Sequence, residues 1–267
     1  MPVPPIPARL WLLPLVLLLL GAPLWMHTFE PAQFVYLNTL FAPVAAPVWT
    51  GLSMLGNAWG VLAMTSPLLV LAPRLMWAWL CAAPFAILFA RLGKGLIESP
   101  RPAAVVDHVQ MRVVGEILHN VSMPSGHTLT AFSVASALYF ALPQPGRTQH
   151  LWLFALAAGA GLSRIAVGAH WPGDVAAGMA LGLLAGMLGT RLLARMDNKH
   201  LQPTAWSLRL VAMLLVATLV ALLTETQDFD ENLPLQYLLA VVVLGSLVAF
   251  GKQNWAAYRA PAAPPKG

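Results

Sequence analysis

Ser163-Arg164-Ile165-Ala166-Val167-Gly168-Ala169-His170-Trp171-Pro172-Gly173-Asp174 joins two apolar runs, residues 151–169 and 173–194. A charged arginine or aspartate at the centre of a bilayer costs about 2.5–3.5 kcal/mol on insertion scales. The segment is therefore expected at the membrane surface, between two spans, with its polar side chains converging on a ligand. Two further polar islands abut long apolar runs in the same way. One is Lys94, followed after six residues by Arg101-Pro102; the other is Pro124-Ser125-Gly126-His127. A single site built from all three would hold three cations, two histidines, a serine and one carboxylate, an inventory suited to a phosphate ester.

Composition agrees with that setting. Of 267 residues, 58% are hydrophobic and 9% charged, with a mean hydropathy of +0.71, where soluble domains carry about 25% charged residues. The class is all-α: a polytopic membrane helix bundle forming one membrane domain. The net charge of +5 is no sign of nucleic acid, because the basic residues are spread along the chain, mostly at span ends. Cys81 stands alone in an apolar run, which leaves no disulfide framework and no thiolate metal site; it reads as a small buried hydrophobe.

Spans are expected near residues 9–27, 57–73, 75–93, 127–143, 151–169, 173–194, 207–223 and 233–251. The first could be a signal peptide, but no clean small-x-small signal follows it, and a retained span is the reading adopted. Residues 31–56 are apolar yet broken by Asn38, Pro43, Pro47 and Asn57, and read as an interfacial or re-entrant helical piece. With the N-terminus inside, Arg9, Arg74, Arg147, Arg191, Arg195, Lys199, Arg209, Lys252, Arg259 and Lys266 fall on the cytoplasmic side. The three polar islands and the acidic loop Glu225–Glu231 then share the outer face. Residues 1–200 form the expected core, 201–251 an additional helical pair, and 252–267 a tail whose three prolines predict disorder.

Each island has a chemical reading beside a plainer one. Prolines flank Arg101 and stiffen the backbone, so its guanidinium could grip two phosphate oxygens while Lys94 supplies a point charge; both could equally be ordinary interfacial cations. Pro124-Ser125 before an apolar run predicts a helix start, where free N–H groups favour anions, Gly126 permits close approach and His127 titrates near neutrality. The alternative is a capped helix with an interfacial histidine. Asp174 lies four residues after His170, one helical turn, so it could fix the imidazole tautomer and free the other nitrogen to attack. The alternative is a capping aspartate beside a surface histidine.

Together the islands resemble the type 2 phosphatidic acid phosphatase family, which includes the vanadium haloperoxidases. The shared pattern is Lys-x6-Arg-Pro, Pro-Ser-Gly-His and Ser-Arg-x5-His-x3-Asp, matched here at Lys94, Arg101, Pro102, Pro124, Ser125, Gly126, His127, Ser163, Arg164, His170 and Asp174. The resemblance covers about residues 57–195, and implies a six-helix core to which the last two apolar runs are extra. It implies that His170 attacks phosphorus, Asp174 orients it, and His127 protonates the leaving oxygen and then activates water. Lys94, Arg101, Ser125, Gly126 and Arg164 are implied to hold the phosphoryl oxygens. No cofactor and no metal is implied, and a single carboxylate is a poor start for a magnesium site.

The expectation is a lipid phosphate or diphosphate phosphatase with its active site on the outer face of a bacterial inner membrane. Undecaprenyl diphosphate, phosphatidylglycerol phosphate, phosphatidate and lipid A phosphates are candidate substrates. A phosphotransferase using the same residues, a lipid transporter and a haloperoxidase are the competing classes. His108, Glu116 and His119 could gate the site or touch a headgroup, or simply be solvated. Glu98 could pair with Lys94 or Arg101. Trp25, Trp49, Trp59, Trp77 and Trp79 read as interface anchors or packing residues.

Overall fold

A computed structural model describes residues 3–26 and 30–259. Of the tail 252–267 expected to be disordered, residues 252–259 instead continue the last helix, which runs Leu233–Arg259, and residues 260–267 lie outside the described residues. The structure is all-helical, with no strand among the described residues. α1 (Leu13–Leu20) and α2 (Ala22–Met26) form a rod bent at Gly21; α3 (Pro31–Phe41) and α4 (Ala46–Ser53) are short; α5 (Ala58–Thr65) and α6 (Leu68–Leu71) follow. Then come α7 (Pro73–Leu80), α8 (Ala83–Leu96), α9 (Gly126–Ala141), α10 (Trp152–Ala166), α11 (Pro172–Leu193), α12 (Trp206–Thr224) and α13 (Leu233–Arg259).

Four stretches are long and apolar enough to cross a membrane: Pro73–Leu96, Pro172–Leu193, Asn198–Thr224 and Asp230–Arg259. The other expected spans are shorter or broken, for local reasons. Residues 57–73 divide after Thr65, because Pro67 and Pro73 each interrupt the ladder of backbone hydrogen bonds. α9 and α10 have 16 and 15 residues, less than the ~20 that a full crossing takes. Each abuts a polar motif at one end, and their other ends are joined by residues 142–151, which hold Pro143, Pro145, Gly146 and the 3-10 turn Arg147–His150.

α11 is the axis of the bundle, and its contact with α9 is nearly backbone on backbone. A Cβ at Gly178 would come within 2.8 Å of the Ser125 carbonyl, and one at Gly186 within 2.5 Å of the Ser133 carbonyl; Gly182 lies as tightly on the Leu129 carbonyl. In lipid there is no hydrophobic drive between helices, so small residues every fourth position supply close packing instead. The glycine stripe thereby holds Ser125, at the start of α9, beside Asp174, at the start of α11.

Residues 31–56 form two short helices, neither long enough to span, packed on α10. Asn38, one of the residues that interrupt this apolar stretch, is fully buried. Its amide donates to the carbonyls of Ile165 (2.9 Å) and Arg112 (3.1 Å), and its oxygen accepts from the Arg112 N–H (2.7 Å). These bonds satisfy carbonyls at the end of α10 and tie the 97–125 connection to it.

The α12–α13 pair packs on the core. Leu208, Val211, Leu215, Leu239 and Val243 share one apolar cluster with Val61, Leu62, Met76 and Trp79, and free Cys81 is buried in the same cluster. At the end of the bundle remote from the motifs, Arg74 donates to Asn198 (2.9 Å). The 22 residues of α11 separate that contact from Asp174's end by about 33 Å. The motifs thus gather at one end of the bundle.

Candidate active site

The turn between α10 and α11 presents His170. Gly168 makes the turn possible: its φ of +81° is a conformation that side chains resist, and a Cβ there would lie 2.6 Å from the Arg112 carbonyl. The N–H groups of Ala169 and His170 both return to the Arg164 carbonyl (2.9 and 3.1 Å). Pro172 then opens α11, and Asp174 in its first turn accepts from the Trp171 N–H (3.0 Å).

His170 is held from both sides. Its Nδ1 lies 3.0 Å from Asp174 Oδ2, and its Nε2 lies 2.9 Å from Arg101 Nη1. A guanidinium only donates, so Nε2 must carry the lone pair and Nδ1 the proton. The tautomer is therefore the one a nucleophilic Nε2 needs. Burial, then the charges of Arg101 and Arg164, pushes the His170 pKa well below its ordinary value, which keeps the imidazole neutral.

Asp174 is fully buried, and its Oδ2 also accepts a short hydrogen bond from Ser122 Oγ. Its other oxygen has no partner among the described residues. Arg101 is buried and oriented by Asn120, whose side-chain oxygen accepts from Nη2 (2.6 Å) and Nε (3.0 Å), and by the Ala169 carbonyl (2.8 Å). Trp171 ties this loop down by donating from Nε1 to the Pro100 carbonyl (2.7 Å).

Arg164 is buried on the last turn of α10. It donates to Ser53 Oγ (2.6 Å) and lies 5.7 Å from the Phe229 ring, while its Nε has no partner among the described residues. Arg101, Arg164, Glu116 and Asp228 line a common cavity of about 150 Å³. An unspent guanidinium N–H beside this cavity is a donor for an oxyanion.

The α9 start brings Ser125, Gly126 and His127. Ser125 is fully buried; its Oγ caps the helix by accepting from the Thr128 N–H (3.4 Å) and hydroxyl (2.9 Å). Its N–H donates to the Asp174 carbonyl (3.0 Å), which joins the second and third motifs. A Cβ on Gly126 would meet nothing within 4 Å, so the backbone there faces open space. His127 Nε2 bonds Asp228 Oδ2 (2.9 Å), and its side chain is 20% exposed. Lys94, on the last turn of α8, is half-buried and faces Arg101 and Asp174.

All eight residues singled out from the sequence for catalysis or phosphate binding thus meet at one end of the bundle. The residues offered as gates do not share that organisation. His108 is exposed and bonded to the Ala103 carbonyl (2.9 Å), and no ion pair joins Glu98 to Lys94 or Arg101 among the described residues; Glu116 alone lines the cavity. Sequence reading missed Ser122 and Asn120, which orient Asp174 and Arg101 from a loop without a motif. It also missed Asn57 and Asp228, which reach His127. The only signal for Asp228 was the expected placement of its acidic loop on the face of the motifs. Among the described residues, no three His, Cys, Asp or Glu side chains are grouped as metal ligands.

An apolar groove of about 370 Å³ starts at His127, Gly126 and Asn57 and continues along Val61, Leu62, Trp79, Ala83, Ala86, Ile87, Ala90 and Leu129 to Leu214 of α12. It runs from the polar end of the bundle between α5, α7, α8 and α9 to α12.

Residues 74–197 match the PAP2 superfamily. The decaprenylphosphoryl-5-phosphoribose phosphatase of Mycobacterium tuberculosis is 32% identical over 146 residues, 52% of this chain and 75% of the relative. The lipid A 1-phosphatase of Rhizobium johnstonii is 35% identical over 129 residues, 46% of this chain and 50% of the relative. The chain spans between 15% and 50% of the length of the first curated relatives it matches. The crystal structure of Aquifex aeolicus LpxE superposes with a TM-score of 0.53 at 24% identity, over 60% of this chain and 93% of that one.

Proposed function

The chain belongs to the PAP2 superfamily, and from that membership we propose that it is a metal-independent membrane phosphatase acting on a lipid phosphomonoester or diphosphate through a phosphohistidine on His170. The observation that carries this reading is the Arg101–His170–Asp174 array, in which a donor-only partner fixes the lone pair on Nε2. Substrate phosphate draws Arg101 onto its oxygens and uncovers that nitrogen. The Nε2 lone pair forms the N–P bond while the P–O bond breaks, its electron pair leaving on the ester or diphosphate oxygen, which takes a proton from His127. In the second half, water attacks phosphorus, gives its proton to His127, and the N–P pair returns to His170. Asp174 stabilises the positive charge that the ring acquires. Lys94, Arg101, Arg164, Ser125 and the Gly126 N–H hold the phosphoryl oxygens as their charge redistributes, the electrostatic contribution that dominates phosphoryl transfer.

The groove supports a lipid as the substrate. It opens beside His127, so an acyl or prenyl chain lying in it would leave its phosphate at the cluster of cations. Undecaprenyl diphosphate, phosphatidylglycerol phosphate, phosphatidate and lipid A phosphates all have this form. The segregation of basic residues supports a site on the outer face of a bacterial inner membrane. Purified protein in detergent is expected to release inorganic phosphate from at least one of these lipids with EDTA present, and His170→Ala to abolish release. Undiminished release by that variant would overturn the assignment, and dependence on added divalent ion would overturn its metal independence.

A further inference from the structure

The α12–α13 pair lies outside the three motifs, yet its connecting loop reaches into the site. Asp228 Oδ2 lies 2.9 Å from His127 Nε2 and 2.7 Å from Asn57 Nδ2. We propose that Asp228 is a positioning residue for His127, so that the site contains two carboxylate–imidazole pairs: Asp174 behind the nucleophile and Asp228 behind the acid/base. This inference rests on the phosphatase reading above.

Asp228 is placed by design of the loop rather than by chance contact. Its φ of +58° is a strained conformation for a residue with a side chain, and persists only where the surroundings hold it. On one side, buried Gln227 donates from its N–H to Gln236 Oε1 (3.0 Å), and the Gln236 amide returns to the carbonyls of Leu222 (3.0 Å) and Glu225 (2.7 Å). On the other, Phe229 is buried beside Arg164, and Asn232 donates to the Thr50 carbonyl (3.0 Å). Asn57 has no freedom either. Its oxygen caps α5 by accepting from the N–H groups of Trp59 (2.9 Å) and Gly60 (3.1 Å), which leaves its amide aimed at Asp228.

The carboxylate is held in its charged form. Burial opposes ionisation, but the hydrogen bonds from His127 and Asn57 and the charge of Arg164 outweigh it and hold the Asp228 carboxyl below the usual range. An ionised oxygen on Nε2 keeps the proton on that nitrogen and leaves Nδ1 as the nitrogen that exchanges protons with the reacting group. It also favours the imidazolium that a general acid must be. During ester cleavage Nδ1–H gives its proton to the leaving oxygen as that oxygen takes the P–O electron pair; Nε2–H stays bonded to Asp228. During hydrolysis Nδ1 takes a proton from water. The other ionisable groups that face His127 are Arg164 from α10, Arg101 from the 97–125 connection and His170 from the α10–α11 turn. Burial first, then the charges of Arg164 and Arg101, disfavour its protonation and hold its pKa below the ordinary value; the hydrogen bond and charge of Asp228 act against that lowering.

The test compares two phosphomonoesters with one tail and different leaving groups, decyl phosphate and 4-decyl-2-nitrophenyl phosphate, on wild type, Asp228→Asn and Asp228→Glu. A poor alkoxide leaving group needs protonation; a nitrophenolate does not. Asp228→Asn is expected to lower kcat/KM for decyl phosphate roughly 30-fold and for the nitrophenyl ester less than about threefold. It should also move the alkaline limb of the decyl phosphate profile to lower pH, and Asp228→Glu should recover part of both. A fault of folding or hairpin docking would lower both substrates alike and leave the limb in place, which would overturn the proposal. So would unchanged kinetics. A gain in activity would do so as well, by marking Asp228 as a carboxylate that competes with phosphate for Arg164. His170→Ala run alongside separates the two levels: if it retains full release, the assignment of a phosphohistidine to His170 fails; if it is dead and Asp228→Asn is normal, only this inference does.

Discussion

Replacing Asp174 by asparagine isolates what its charge contributes. Oδ2 accepts from Trp171 N–H (3.0 Å), Ser122 Oγ and His170 Nδ1 (3.0 Å). The Trp171 N–H cannot become an acceptor, so the asparagine must present its oxygen there and its amide to the side of Oδ1. His170 therefore keeps the Nδ1–H tautomer, and the variant loses charge but not orientation. A hydrogen bond to a charged group contributes about 1.5–3 kcal/mol and a neutral one about 0.5–1.5, which sets a lower bound near 1 kcal/mol. A full unit charge on the ring 3.0 Å away would interact by about 5.5 kcal/mol at an effective dielectric of about 20. Only part of that charge has developed in the transition state, so the expected loss is about 2.7 kcal/mol, or roughly 100-fold in kcat/KM. Asp174→Ala also releases the ring and strands the Trp171 and His170 donors, and should cost about 10⁴-fold. Phosphate release from one short-chain lipid phosphate, measured for both variants at equal detergent concentration, gives the ratio. Equal losses would refute the tautomer argument; no loss in either would refute the role of Asp174.

Because the ordinary histidine pKa of 6.5 is lowered for His170, the acid limb of kcat/KM should lie below that pH: the neutral, reactive imidazole persists as pH falls and is lost only on passing the depressed value. A limb at or above 6.5 would contradict the burial argument. Gly182→Ala drives a Cβ into the Leu129 carbonyl and should destabilise the protein by about 2 kcal/mol, read as a lowered Tm in detergent, whereas Gly245→Ala, with nothing within 4 Å, should be neutral or slightly stabilising. Ala86→Trp should fill the groove and raise KM for long-chain substrates while leaving short-chain ones within about twofold.

The site was legible in the sequence because charge is expensive beside lipid. Arg101, Arg164, His170 and Asp174 stand out against apolar runs, and their spacing alone places Asp174 one turn from His170. The same contrast separated residues 31–56 from the spans, and Asn38, which breaks the hydropathy there, turns out to close the end of α10. Helix lengths were less legible. Hydropathy does not register that Pro67 and Pro73 divide residues 57–73, because the apolar run Leu68-Leu69-Val70-Leu71 between them keeps the average high. The stripe Gly178, Gly182 and Gly186 went unread in the sequence, because its partner helix is set by three-dimensional packing. Asp228 was hidden for a related reason. It is one of four acids in a loop expected to face water, and only the strained backbone and the bonds of Gln236 and Asn57 single it out.

The covalent intermediate tests the central claim most directly. Protein quenched in alkali during turnover of a ³²P-labelled lipid phosphate should carry label that survives base, is released by acid, and maps to the peptide containing His170. Asp228→Asn should label at the same residue, and His170→Ala not at all. Label on another residue, or sustained phosphate release with no label trapped under conditions that slow hydrolysis, would contradict attack by His170.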